Sequence, residues 1–142
     1  MITKNAQETI EFAQKFAQKL KGGEVLALVG DLGSGKTTFM KGLAEGLKVN
    51  ETITSPTFVL LKPYPGKIKT KKIQLVHVDA YRVESLEDIQ SVGIEDYLGC
   101  RDVILAVEWA EKIKDILPKK LIQLNFRMLD ENTREITYDF ND

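Results

Sequence analysis

Residues 30–37 read Gly30-Asp31-Leu32-Gly33-Ser34-Gly35-Lys36-Thr37. The two glycines at the ends of a four-residue gap, the lysine and the hydroxyl have the spacing of a phosphate-binding loop. Each position has its own physical task. Glycines let the backbone curl so that successive N–H groups point inward at phosphate oxygens. Lys36 carries a positive charge to the β- and γ-phosphates, and the Thr37 hydroxyl is a hard oxygen ligand for Mg²⁺. The helix that starts here turns its positive dipole end to the same anion. The stretch from Asp31 through Leu32, Gly33, Ser34, Gly35, Lys36 and Thr37 to Thr38 is therefore the candidate nucleotide-binding segment.

The flanks fit the motif. Val25-Leu26-Ala27-Leu28-Val29 is an unbroken apolar run, as expected of a strand buried on both faces. Phe39, Met40, Leu43, Ala44 and Leu47 then recur at helical spacing. An earlier helix is expected through Ile10, Ala13, Phe16, Ala17 and Leu20, stopped by Lys21-Gly22-Gly23. Phe58-Val59-Leu60-Leu61 reads as a strand broken at Pro63, Pro65 and Gly66. The basic run from Lys67 to Lys72 reads as a solvated hairpin tip, with RNA or an acidic partner as the other reading. Ile73 to Val78 and Val103 to Val107 are further buried strands, ending at Asp79 and Glu108. Short helices are expected at Leu86 to Gln90, Ile94 to Leu98 and Ala110 to Ile116. The alternation of Ile122, Leu124, Phe126 and Met128, and again of Ile136, Tyr138 and Phe140, predicts an antiparallel hairpin with one wet face, turning at Asp130 to Thr133. The expected fold is α/β: a mostly parallel sheet of the P-loop NTPase kind, with flanking helices and antiparallel edge strands that include the C-terminal hairpin.

At 142 residues the chain suits a single P-loop ATPase domain over residues 1–142. Its 20 basic and 21 acidic residues argue against tight nucleic-acid binding by this chain alone, since neutralising phosphates takes clustered positive charge. Cys100 is the only cysteine, which excludes an internal disulfide and fits a reducing compartment. It reads as a small buried or half-buried residue rather than a nucleophile. No apolar stretch approaches the ~20 residues of a membrane span, and Met1 to Asn5 has no signal-peptide character. The expectation is a cytoplasmic protein with no membrane attachment.

In a parallel sheet the C-terminal ends of the strands open on one edge, where ligands bind. The glycine loop, Asp79 and Glu108 each follow a buried strand, so they are expected to face one crevice. Hydrolysis of a nucleotide needs Mg²⁺ held by a hydroxyl and a carboxylate, and a water aligned for in-line attack. Thr37 supplies the hydroxyl; spacing leaves open which of Asp79 and Glu108 holds the metal and which acts on the water. Strand-end carboxylates also serve as caps and ion-pair members. Thr54-Ser55-Pro56-Thr57-Phe58 is where a nucleotide switch would sense the γ-phosphate through Ser55 or Thr57, or is simply a turn feeding a strand. His77 shares a strand face with Asp79 and is expected either to orient it or to be a satisfied half-buried histidine. Arg82 reads first as the ion-pair partner of an acid such as Glu84, and otherwise as a γ-phosphate contact. Trp109 reads as core packing or as a stacking or docking surface. The base is expected to be covered near Ala6 and Arg134.

Together the segments Gly-Asp-Leu-Gly-Ser-Gly-Lys-Thr-Thr (30–38), Ser-Pro-Thr-Phe (55–58), His-Val-Asp-Ala-Tyr-Arg (77–82) and Val-Glu-Trp-Ala-Glu (107–111) resemble the bacterial tRNA threonylcarbamoyladenosine biosynthesis ATPase family, TsaE, also called YjeE. The resemblance runs from about Ala6 to Arg134. The loop alone is generic, and the other three motifs make the match specific. Ala110 stands where many members have proline, and Ala80 where they have a larger apolar residue; neither change touches a chemical group. The resemblance implies a small ATPase using ATP and Mg²⁺, working with the TsaB and TsaD proteins to modify adenosine 37 of tRNAs that read codons beginning with A. It implies contact with tRNA only indirectly, through that complex. By motif, Lys36 would bind phosphates, Thr37 and Glu108 would hold Mg²⁺, Asp79 would assist hydrolysis, Ser55 and Thr57 would belong to a switch, and Trp109 would lie at the nucleotide or partner face.

Two other readings share the loop. A small P-loop kinase acting on a nucleoside or small molecule would need an acceptor pocket and usually an arginine-rich lid, whereas the arginines here are only Arg82, Arg101, Arg127 and Arg134. A guanine-nucleotide switch would carry an Asn-Lys-x-Asp motif, which is absent from the sequence.

Overall fold

A computed structural model describes residues 1–54 and 61–139. Its strands are β1 (Ile2–Thr3), β2 (Val25–Val29), β3 (Leu61–Ile68), β4 (Lys71–Asp79), β5 (Val103–Glu108), β6 (Ile122–Met128) and β7 (Arg134–Tyr138). They form one sheet in the order β1-β7-β6-β2-β5-β4-β3. The four central strands β6, β2, β5 and β4 run parallel. The strands outside them, β3 on one side and β7 and β1 on the other, pair antiparallel. The fold is thus the mixed α/β sheet with a parallel centre that the apolar runs predict.

Strand parity divides the core into two. Leu26 and Leu28 of β2, Ile104 and Ala106 of β5 and Ile73 and Leu75 of β4 face one side, where they pack with Phe16 of α1 (Ala6–Ala17) and Phe39, Met40 and Leu43 of α2 (Lys36–Gly46). Val25, Ala27, Leu105, Val107, Val76 and Val78 face the other side, under α3 (Leu86–Gln90) and the 3₁₀ turns at Ile94–Tyr97 and Ala110–Ile116. Burial on both faces is what lets these strands read as continuous apolar runs.

Asn5 caps α1, its side chain accepting from Glu8 N at 2.8 Å, while Glu8 Oε1 accepts from Lys4 N at 2.9 Å. The α1 and α2 helices cross closely because α2 carries glycine at the contact. A Cβ on Gly42 would stand 2.4 Å from the Ile10 carbonyl oxygen and 2.7 Å from Ala13 Cβ. That crossing seats α2, and with it the glycine loop, against the sheet.

Two expectations change. Pro63, Pro65 and Gly66 do not break a strand but lie inside β3, in register with Val76, Gln74 and Ile73 of β4. Proline is tolerated there because β3 is an edge strand with no ladder on its outer side. The proposed strand residues Phe58, Val59 and Leu60 lie outside the described residues. The C-terminal hairpin is antiparallel as expected, but its first strand β6 also pairs parallel with β2 and so belongs to the centre of the sheet. Two-residue β1, too short for any periodicity to reveal, completes that side. Among the described residues no helix is long and apolar enough to cross a membrane.

Candidate functional site

The glycine loop leaves the end of β2, Asp79 ends β4 and Glu108 ends β5. Leu28 and Asp79 both register with Glu108, so all three strand ends lie at one level of the sheet. Parity also matters. Glu108 shares the face of Ile104 and Ala106, and Asp79 that of Leu75 and His77, which is the face covered by α2. Both carboxylates therefore turn toward the helix that begins at Lys36. The expectation of one shared crevice holds.

Gly35 opens α2 at φ 107°, a left-handed conformation that a side chain would strain. The turn before it closes through the Ser34 N–H, which donates to the Asp31 carbonyl at 3.1 Å. A cavity of about 450 Å³ opens above, within the range of small-molecule sites. Leu32, Gly33, Ser34, Gly35, Lys36, Thr37, Thr38, Asp79, Glu108 and Trp109 all line it. Asp31 does not line it; its carbonyl closes the turn. Ser34 is 2 % exposed, and its hydroxyl has no partner among the described residues. A buried, unpaired hydroxyl in a glycine loop at a helix N-terminus fits an anionic oxygen ligand.

Lys36 is buried, and its ammonium donates to the Gly30 carbonyl and stands 3.7 Å from the centroid of the Trp109 ring. This burial lowers its pKa from the ordinary lysine value, against the opposing pull of Glu108, Glu111, Asp79 and Asp31. Trp109 is half-buried, adopts φ 58° and contacts the Tyr81 ring at 5.0 Å between centroids. It is thus both packed and turned to the cavity, placing an aromatic face on the lysine cation.

Glu108 is 3 % exposed. Its Oε2 lies 2.6 Å from His77 Nε2, and its Oε1 accepts from Thr37 Oγ1 at 3.4 Å. This corrects the reading of His77. The histidine orients Glu108 on the next strand and not Asp79 on its own: the β4–β5 register sets His77 beside Ala106, two residue pairs below Glu108 and on the same face. Asp79 is half-buried at the rim, where its Oδ1 accepts from Tyr81 N at 3.0 Å. Arg82 is exposed and forms no ion pair with Glu84 among the described residues. Cys100 is half-buried, its thiol donating to the Asp96 carbonyl at 3.3 Å. Ser55 and Thr57, the predicted switch residues, lie outside the described residues.

The far wall comes from segments distant in sequence. Ala6 and Arg134 line the cavity as expected, joined by Asn5, Thr9, Glu131 and Asn132. Arg134 lays its aliphatic stem along the loop, with Cγ 3.5 Å from where a Gly35 Cβ would stand, and its guanidinium donates to the carbonyls of Asp130, Glu131 and Thr133. No local pattern marks Asn5 or Thr9 as site residues; only the pairing of β1 with β7 brings them beside the hairpin turn.

A strand, a glycine loop and a helix at the edge of a parallel sheet, with carboxylates ending the neighbouring strands, define a P-loop-like fold. Comparison with known proteins narrows this further. Residues 3–136 match the family model of the threonylcarbamoyl adenosine biosynthesis protein TsaE, and the chain belongs to that family. It is 40% identical over 136 residues to the tRNA threonylcarbamoyladenosine biosynthesis protein TsaE of Bacillus subtilis, covering 96% of this chain and 82% of that one. The protein of that name from Treponema pallidum is 38% identical over 136 residues (96% of each chain), and that from Aquifex aeolicus 41% over 138 residues (96% and 92%). The crystal structure of Bacillus subtilis YdiB superposes with a TM-score of 0.74 at 39% identity, covering 97% of this chain and 82% of the other.

Proposed function

We propose that this chain is a Mg²⁺-dependent ATPase that acts with the TsaB and TsaD proteins in the threonylcarbamoyl modification of adenosine 37 of tRNA. The observation that carries the ATPase reading is the convergence of Lys36, Thr37, Asp79 and Glu108 on one cavity at a single level of three parallel strands.

The residues fit the metal. Mg²⁺ takes oxygen ligands at about 2.1 Å in an octahedron, so neighbouring ligands stand about 3 Å apart. Thr37 Oγ1 and Glu108 Oε1 lie 3.4 Å apart. Such a site keeps several waters and takes the remaining ligands from the phosphates, so the lack of a larger protein cluster among the described residues accords with it. Bound Mg²⁺ would neutralise charge on the phosphate oxygens. His77 holds one oxygen of Glu108 and thereby keeps the other toward Thr37, the usual task of a partner behind a metal ligand. Asp79, whose Oδ1 accepts from Tyr81 N and which lines the cavity, would orient the attacking water. Lys36 exchanges the Gly30 carbonyl and the Trp109 face for phosphate oxygens when nucleotide enters. The wall near Ala6 and Arg134 takes the base.

Two observations favour an enzyme that is slow alone and completed by partners. Arg134 is the one arginine among the described residues that lines the cavity, and its guanidinium is tied to three carbonyls of the hairpin turn, so no free arginine lines it to stabilise transition-state charge. Leu32, Tyr81, Met128 and Leu129, all exposed, follow or end the strands around the cavity mouth, an apolar rim suited to a protein partner. The test is phosphate release from Mg·ATP by the chain alone and with the TsaB–TsaD pair. Slow release that rises with the pair is the expected result. An unchanged rate would remove the partner reading, and no release in either case would remove the ATPase reading.

A further inference from the structure

The chain's charge is balanced only in sum. The parallel strands have a second edge, at their N-terminal ends, opposite the cavity. Lys21 leads into β2, Arg101 into β5, and Lys119 and Lys120 into β6, while Lys71 and Lys72 open β4 with Lys67 and Lys69 across the hairpin turn. The segments 21–24, 67–72, 101–102 and 119–120 hold these eight cations and only two acids, Glu24 and Asp102. They carry +6, so the rest of the chain carries −7 toward the total of −1.

The segments touch. Lys71 Nζ donates to the Arg101 carbonyl at 2.8 Å, and a Cβ on Gly22 would stand 2.3 Å from that oxygen. A cavity of about 540 Å³ lies among Lys21, Arg101, Lys119 and Lys120, with Gly22, Gly23 and Gly99 leaving room for close approach. Its one carboxylate, Glu24, already accepts from the N–H groups of Lys21 and Gly22 at 2.8 and 2.7 Å. None of the four cations forms an ion pair among the described residues. Like charges gathered around a cavity repel one another and do nothing for the fold. Gln74 registers with Val103, so Lys71 lies three residues, about 10 Å, beyond the start of β5. From β6 to β4 the lead-ins span three strand spacings, about 14 Å, a length of roughly four phosphates along one nucleic-acid strand.

We propose that this basic edge binds the phosphate backbone of RNA, without reading bases and separately from the nucleotide cavity. The residue types favour RNA over an acidic protein. Protein interfaces are depleted in lysine and centre on aromatic or arginine anchors, whereas seven of these eight cations are lysine. The exposed large apolar residues lie at the other edge or on the first strand. The proposal does not rest on the ATPase reading.

The experiment is fluorescence anisotropy of a labelled, unmodified tRNA transcript with the whole chain, titrated from 50 to 300 mM salt. The expected result is salt-sensitive binding that Lys21→Gln/Lys119→Gln/Lys120→Gln weakens at least tenfold at 50 mM. The triple variant also lowers the slope of log K against log salt by about 2, at roughly 0.7 per single-strand phosphate contact. A mixed-sequence 20-nucleotide RNA should compete, and ATP hydrolysis by the triple variant should be unchanged. Absence of binding at 50 mM, or wild-type binding by the triple variant, would overturn the proposal. So would an equal loss when the exposed lysines Lys15, Lys41 and Lys62 are replaced by glutamine instead, or displacement of the RNA by polyglutamate at lower concentration than by the 20-mer, which would point to an acidic protein.

Discussion

Replacing Glu108 separates the site's chemistry from its contribution to the fold. In Glu108→Gln the amide keeps the shape and retains a hydrogen-bonding group for His77 Nε2, now 2.6 Å from Oε2, so the fold should lose about 1 kcal/mol or less. The negative charge beside Thr37 is gone. Disturbing a residue that merely orients a metal ligand weakens metal affinity about 10–100-fold, so removing the ligand's charge should move the Mg²⁺ midpoint of ATP hydrolysis by at least that factor. Glu108→Ala adds a different cost. It leaves His77, fully buried and without a partner at Nδ1 among the described residues, with neither nitrogen bonded to any of them. One unsatisfied buried polar group costs about 1–3 kcal/mol. At about 3 °C per kcal/mol for a chain of this size, the melting temperature should fall by about 3–9 °C. The assays are a Mg²⁺ titration of phosphate release and a thermal melt of each variant. Glu108→Gln with the wild-type rate and wild-type Mg²⁺ midpoint would refute the assignment of Glu108 to the metal. Equal melting temperatures for Glu108→Ala and wild type would refute the coupling to His77.

Other perturbations read other parts of the structure. His77→Ala should raise the Mg²⁺ midpoint about 10–100-fold, with partial rescue in His77→Gln, as measured by Mn²⁺ binding in the presence of ADP as well as by turnover. Because burial lowers the pKa of Lys36, the nucleotide-free chain loses that charge below the usual lysine range. The unfolded chain then binds the extra proton between the lowered pKa and 10.5, so this residue's contribution to stability rises with pH across that window. Nucleotide phosphates restore the charge, so ATP binding in the same window should take up a proton, seen by calorimetry in buffers of different ionisation enthalpy. Trp109 is the only tryptophan and has the Lys36 ammonium 3.7 Å above its ring; nucleotide that draws Lys36 away should change its emission, and Lys36→Met should abolish that change. Gly42→Ala gains about 1 kcal/mol in helix propensity but sets a Cβ 2.4 Å from the Ile10 carbonyl. Overpacking of that kind costs about 1–3 kcal/mol or more, so the urea midpoint should fall.

The sequence by itself determined the parts whose information is local. The glycine loop announces its own backbone and ligand chemistry through residue types at fixed spacing. The apolar runs Val25 to Val29 and Val103 to Val107 reveal strands buried on both faces because nothing polar interrupts them. Strand-end positions then mark Asp79 and Glu108 as residues of one crevice, since parallel strands share an edge. Tertiary structure decided what depends on register and on meetings between distant segments. His77 looked like the neighbour of Asp79, two residues away on its own strand; the pairing of β4 with β5 gave it to Glu108 instead. Pro63 and Pro65 looked like breakers, and only the outermost position of β3 made them acceptable within a strand. Asn5 and Thr9 entered the cavity wall through a two-residue strand that no periodicity could announce. The basic edge was visible in sequence only at its hairpin, since Lys21, Arg101, Lys119 and Lys120 are separated by whole strands and helices. Sheet order alone sets them side by side, because contacts between residues far apart in the chain leave no mark on the local pattern of either.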